Sequence, residues 1–123
     1  MGDVVGVGID LIEIDRVAAL LARQPRFAER CFTEAERAYC LSRKYPPQHF
    51  AARFAAKEAV GKALGIGMTR WHEAEMVRGR GAPTAVLTGR CRRRADDMGV
   101  AEVFLSVTHS RGMAAAVAVL RSA

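Results

Sequence analysis

Apolar and polar positions alternate from Val4 to Ile14. Val5, Val7, Ile9 and Leu11 lie on one face; Gly6, Gly8 and Asp10 lie on the other, the period-two pattern of a strand. A helix through Val17, Leu20 and Leu21 follows, with Asp15 as its expected cap and Pro25 as its stop. Thr33, Glu34, Ala35 and Glu36 have capping-box spacing and predict a second short helix. Pro46-Pro47 opens the longest helical stretch, Gln48 to about Leu64, which Gly65 ends. At roughly 100° per residue, Phe50, Phe54, Gly61 and Leu64 share one arc of that helix and most alanines the opposite one. A helix apolar on two sides is expected to be largely buried. Two short strands around Met76 and Val86, separated by Gly79 to Pro83, come next. A helix from roughly Arg90 to Met98 then stops at Gly99. The apolar stretches Val103–Thr108 and Met113–Leu120, joined through Ser110-Arg111-Gly112, predict a hairpin. The expected fold class is α+β: a mostly antiparallel sheet packed against one long helix and shorter helices.

With 123 residues the chain suits a single domain, 1–123, near the small end for enclosing a deep pocket alone. A site shared between subunits is therefore one option. Hydrophobic residues at 50% argue against disorder. No apolar run approaches the roughly 20 residues of a membrane helix, and no signal peptide is visible. Cys31, Cys40 and Cys91 form neither a disulfide framework nor a zinc pattern, and read as small core residues in a reducing cytoplasm. Nineteen Lys plus Arg against 13 Asp plus Glu give a net +6, which favours an acidic partner or a phosphate-bearing ligand.

Asp10 sits mid-strand beside glycines that leave room for a ligand to approach the backbone. It must be hydrogen-bonded, paired or bound to a cation; the plainer reading is a cap for the next turn. On the long helix, Arg53, Lys57, Glu58 and Lys62 need partners if the helix is buried; otherwise Glu58–Lys62 is an ordinary surface pair one turn apart. Gly6-Val7-Gly8 lacks the third glycine of a dinucleotide fingerprint. Gly61-Lys62 is not a Walker motif, because Ala56 replaces its first glycine and Ala63 its Ser or Thr. Ser106-Val107-Thr108-His109-Ser110, with Arg111 nearby, makes a phosphate site or else a structural histidine at a hairpin. Arg16, Arg23, Arg26 and Arg30, with Leu20 and Phe27 between them, suit an acidic protein helix, nucleic acid being the rival partner. Arg90 and Arg92 to Arg94 precede Asp96-Asp97 and read as a solvated helix face.

Four segments in this order resemble one family. They are Gly6-Val7-Gly8-Ile9-Asp10-Leu11, Phe32-Thr33-Glu34-Ala35-Glu36, Arg53-Phe54-Ala55-Ala56-Lys57-Glu58-Ala59 with Lys62, and Ser106-Val107-Thr108-His109-Ser110. Together they resemble bacterial holo-[acyl-carrier-protein] synthases, the short type of 4′-phosphopantetheinyl transferase, over nearly the whole chain. The resemblance implies the 4′-phosphopantetheinyl transferase fold and transfer of the 4′-phosphopantetheine arm of coenzyme A to a serine of apo acyl carrier protein. Adenosine 3′,5′-bisphosphate is released. It implies magnesium held by Asp10 and Glu58, fitting an ion that takes one or two carboxylates and fills its shell with water and phosphate oxygens. Glu58, directly or through a water, is the first candidate to deprotonate the serine; Lys62 reaches a phosphate or assists proton transfer. Arg53, Lys62, Thr108 and His109 are implied for coenzyme A, and the segment from Arg16 to Arg30 for the carrier protein. The family implies a cytoplasmic homotrimer with sites between subunits, the Thr-His segment coming from the neighbour, and a place in lipid biosynthesis, with no nucleic-acid or membrane partner. Gly81-Ala82-Pro83 departs from the family's Gly-Lys-Pro turn, and Gly67 to Glu73 also differ. A basic nucleic-acid-binding module and a catalytically silent coenzyme A binder stand as alternatives.

Overall fold

The computed structural model describes residues 2–78 and 80–123. Gly79, at the start of the expected connection to Pro83, lies outside them. Strand β1 (Val4–Glu13) leads into helices α1 (Ile14–Arg23), α2 (Phe27–Cys31), α3 (Glu34–Ser42) and α4 (Pro46–Leu64). A 3₁₀ turn (Trp71–Glu73), strands β2 (Ala74–Val77) and β3 (Thr84–Leu87), helix α5 (Gly89–Asp97) and strands β4 (Val100–Ser110) and β5 (Met113–Ser122) complete the chain. All strand pairing is antiparallel, but it divides into two sheets, β1-β5-β4 and the hairpin β2-β3.

Several local signals act as the sequence predicts. The Thr33 hydroxyl accepts the Glu36 amide at 3.2 Å, and the Thr33 amide donates to Glu36 Oε1 at 2.7 Å, closing the capping box of α3. Prolines occupy the first turn of α4 and Gly65 closes it. Arg111 and Gly112 take φ of 50° and 79°, the left-handed pair that a two-residue hairpin turn requires. Asp15 is not the cap of α1. The helix starts directly off β1 with Glu13 at the cap, and the Ile14 amide donates to the Gly112 carbonyl at 2.7 Å. The hairpin turn thus takes up the first free amide of the helix, and Asp15 sits in the first turn facing the positive helix end.

Helix α4 lies on the inner face of the three-stranded sheet. Its buried Ala51, Ala55, Ala59 and Ala63 form one side, and Ala114, Ala116 and Ala118 of β5 are buried with them. A Cβ on Gly8 would overlap the Ala59 carbonyl oxygen and stand 2.7 Å from the Ala63 amide nitrogen. The space left by the β1 glycines is therefore filled by α4 rather than by a ligand. On the opposite side of α4 the aromatic arc packs: Phe50 on Phe32 at 4.9 Å between centroids, Phe54 on Trp71 at 4.7 Å. Lys57 is fully buried and pairs with the equally buried Glu36 at 2.9 Å. It also donates to the carbonyls of Trp71 and Ala74, while Glu36 accepts the Met76 amide. One ion pair thereby ties α4, α3 and β2 together with its donors and acceptors satisfied.

Because glycines face inward, the large residues of β1 face out. Val7, Ile9 and Leu11 are 59, 66 and 63% exposed. They pair across β5 with Val119, Val117 and Ala115, whose other partners on β4 are Phe104, Ser106 and Thr108. A broad apolar sheet face is left uncovered within one chain.

Candidate active site

The close approach of β1 and α4 sets the site. Asp10 follows Gly8 on the inner face of β1, and Glu58 immediately precedes Ala59 on α4. The two carboxylates come from elements distant in sequence but pressed backbone to backbone. Burial raises the Glu58 carboxyl above the ordinary carboxylate range; Asp10 pushes it further, and Lys62 offsets part of the effect. Lys62 Nζ lies 3.2 Å from Asp10 Oδ1 and donates to the Ile9 carbonyl at 3.0 Å. Asp10 is therefore met by an ammonium from α4 and does not cap the turn after β1.

Two carboxylates and one ammonium leave an excess of negative charge at a partly solvated spot. Burial, and then the charge of Asp10, raises the proton affinity of Glu58, and a divalent cation would neutralise the excess charge. The donors are hard oxygens, which suits magnesium. Among the described residues no group of three or more His, Cys, Asp or Glu side chains converges, which leaves Asp10 and Glu58 as the two carboxylates at this spot. That number matches an ion that keeps water and phosphate oxygens in its shell.

A second locus lies at the other end of α4. A cavity of about 240 Å³ is lined by Tyr39, His49, Arg53, Arg78 and His109, with Gly81 and Pro83 on its rim. His109 Nε2 is 3.0 Å from the Gln48 amide nitrogen. Burial, then the charges of Arg43, Arg53, His109 and Arg78, holds His49 below the ordinary histidine range. Arg53 Nε is buried with no hydrogen-bond partner among the described residues. The sequence reading assigned Arg53 and His109 to phosphates but missed His49, Tyr39 and Arg78. His49 stands one turn before Arg53, a spacing that places it on the same helical face. Nothing in the sequence links Tyr39 on α3 or Arg78 after β2 to that face.

The structure separates residues that the sequence reading grouped. Asp10, Glu58 and Lys62 do not line the cavity. Thr108 and His109 point to opposite faces of β4, Thr108 toward the outer sheet face where it pairs with Ala115. Of the expected docking residues, Arg16, Arg23, Arg26 and Arg30 are exposed and Leu20 is half-buried. Phe27 is a correction. It is 8% exposed, its ring 5.9 Å from both Phe32 and Phe54, so it completes the aromatic core and is no outer anchor. Its free edge only lines a shallow groove among Arg23, Arg26 and Arg30. Arg92 pairs with Asp96 on an exposed face of α5, as expected of a solvated helix. All three cysteines are buried free thiols, and burial pushes Cys40 up to about 11, consistent with inert packing.

The 4′-phosphopantetheinyl transferase superfamily model matches residues 6–118. The chain is 49% identical over 118 residues to the holo-[acyl-carrier-protein] synthase of Moorella thermoacetica, covering 94% of this chain and 92% of that protein. Among solved structures, a holo-(acyl-carrier-protein) synthase from Bacillus anthracis in complex with CoA (3′,5′-ADP) superposes with a TM-score of 0.80 at 34% identity, over 98% of both chains. The holo-ACP-synthase of Plasmodium yoelii, at 23% identity, shares the fold with a TM-score of 0.88 over 100% of this chain and 98% of its own. The chain therefore belongs to the 4′-phosphopantetheinyl transferase superfamily, and within it to the holo-[acyl-carrier-protein] synthases.

Proposed function

We propose that the chain moves 4′-phosphopantetheine from coenzyme A to a serine of an acyl carrier protein, using magnesium held by Asp10 and Glu58. The observation that carries this reading is the meeting of those carboxylates with Lys62 where β1 touches α4. The serine oxygen attacks the phosphorus bearing pantetheine; the bond to the inner nucleotide phosphate breaks and adenosine 3′,5′-bisphosphate leaves. Glu58, directly or through a water, takes up the serine proton. Lys62, half exposed and held near Asp10, turns to a diphosphate oxygen and balances charge as the bond breaks. Magnesium, when bound, supplies further neutralisation of the diphosphate. Arg53, His109 and Thr108 hold the nucleotide phosphates.

The uncovered sheet face supports a homotrimer with sites between subunits. Val7, Ile9, Leu11 and Phe104 form an apolar surface of the kind that marks an interface. Thr108 lies on that face and so serves a neighbouring copy's site. Exposed Arg16, Arg23, Arg26 and Arg30, beside Leu20, dock the acidic carrier protein. Among the described residues no helix is long and apolar enough to cross a membrane. The family resemblance implies a cytoplasmic enzyme. The test is mass spectrometry of an apo carrier protein incubated with the chain, coenzyme A and magnesium. Gain of the phosphopantetheine mass, lost on chelation with EDTA, supports the reading; an unmodified carrier overturns it.

A further inference from the structure

We propose that Tyr39 is a positioning residue: its ring gathers Arg53 and Arg78 of the cavity wall, with Arg43 beside them outside the cavity, and holds them ready for the phosphates of the nucleotide. The inference rests on the reading that this cavity takes the nucleotide end of coenzyme A. The Arg53 guanidinium stands 4.1 Å from the Tyr39 ring centroid, that of Arg78 at 5.1 Å and that of Arg43 at 5.7 Å. Arg78 Nη1 also donates to the Tyr39 hydroxyl at 2.8 Å. His49 meets the same ring edge-on at 5.9 Å. Among the described residues none of the three arginines is in an ion pair with a carboxylate.

Three like charges around one point repel, and a carboxylate at the centre would hold them by cancelling their charge. An aromatic face attracts each guanidinium through its quadrupole without cancelling anything. The cluster thus stays positive and ordered. The Nε of Arg53 is buried without a partner among the described residues, so this guanidinium is held by the ring and not by a hydrogen bond at that nitrogen. Arg78 follows β2, Arg43 follows α3 and Arg53 is on α4, so the ring is the common support of three separate elements.

The experiment compares Tyr39→Leu and Tyr39→Phe with Arg53→Ala and the double variant Tyr39→Leu/Arg53→Ala, in transfer assays with coenzyme A and apo carrier protein. Tyr39→Leu should raise the KM for coenzyme A about tenfold, with kcat and the KM for carrier protein little changed, while Tyr39→Phe keeps the ring and restores most of the loss. In the Arg53→Ala background the Tyr39→Leu effect should shrink, because the ring acts through the arginine. An unchanged KM for coenzyme A in Tyr39→Leu, or full additivity with Arg53→Ala, overturns the positioning role. An unchanged KM in Arg53→Ala instead overturns the reading of the cavity as a nucleotide site, and the positioning role falls with it. Tyr39→Met, similar in bulk but without a π face, takes the place of Tyr39→Leu if circular dichroism shows the latter unfolded.

Discussion

Gly8 of β1 lies against Ala59 of α4 so closely that no side chain fits between the two backbones. This contact fixes the site, since Asp10 is two residues beyond Gly8 and Glu58 one before Ala59. Gly8→Ala forces a Cβ into backbone atoms that cannot swing aside. We expect a loss of about 3 kcal/mol in unfolding free energy, at the upper end for overpacking, read by urea denaturation. Activity should fall further than stability, because the same shift parts the carboxylates. A variant as stable and active as wild type would show that the contact is dispensable.

The buried Lys57–Glu36 pair should behave as an indivisible unit. Lys57→Met leaves Glu36 buried with one charged partner gone, and should cost about 3–5 kcal/mol in the same denaturation experiment. Burial already holds Lys57 below the ordinary lysine range, with Glu36 opposing the shift. A cost under about 1 kcal/mol, the scale of a surface pair, would mean that water reaches the site.

His49 supplies a pH dependence whose sign is fixed by its surroundings. Its folded value lies below the ordinary one of about 6.5, so its contribution to stability is present above that pH and lost as pH falls through the lowered value. Burial depresses it most, and the charges of Arg43, Arg53, His109 and Arg78 add to the effect. A bound phosphate reverses the charge effect and raises the value again. Adenosine 3′,5′-bisphosphate should then bind with net proton uptake near pH 6.5, measured by calorimetry in buffers of different ionisation enthalpy. The uptake should drop in His49→Gln; equal uptake in both proteins would assign the proton elsewhere.

On the docking face, Arg16→Glu should raise the KM for carrier protein about tenfold and leave that for coenzyme A nearly unchanged. The wild-type constant for carrier protein should also worsen between low and 0.5 M salt, since exposed charges are screened over roughly 10 Å or less. Equal effects on both substrates would count against this face.

The outer sheet face makes its own prediction. Ile9→Asp places a charge among Val117, Ser106 and their neighbours where copies are to meet. Sedimentation velocity should shift from trimer to monomer, and the proposed sharing of the site predicts that activity falls with it. A wild-type chain that sediments as a monomer would remove the basis for shared sites.

Elements announced by local chemistry were legible in the sequence. The capping box at Thr33, the prolines opening α4 and the Arg111-Gly112 turn each depend on a few neighbouring residues. Asp10, Glu58 and Lys62 were legible as residues needing partners, and their proximity follows from the fold. What depended on distant packing was not legible. Alternation along β1 separates two faces but does not say which is covered; the alanines of α4 decide that, admitting glycines and turning the valines outward. Phe27 reads as an anchor between arginines until Phe32 and Phe54 are seen around it. Asp15 is no cap because α1 begins at Ile14, straight off β1, which places Asp15 inside the first turn. The single expected sheet divides because β2 and β3 pair only with each other.

The most direct test of the account is the magnesium dependence of carrier-protein modification by Asp10→Asn and Glu58→Gln, each checked for native circular dichroism. Both should need about a hundredfold more magnesium for half-maximal rate, or show no transfer at all, as expected when one of two protein ligands is weakened. A magnesium requirement and a rate equal to wild type in either variant would contradict the claim that these two carboxylates hold the ion.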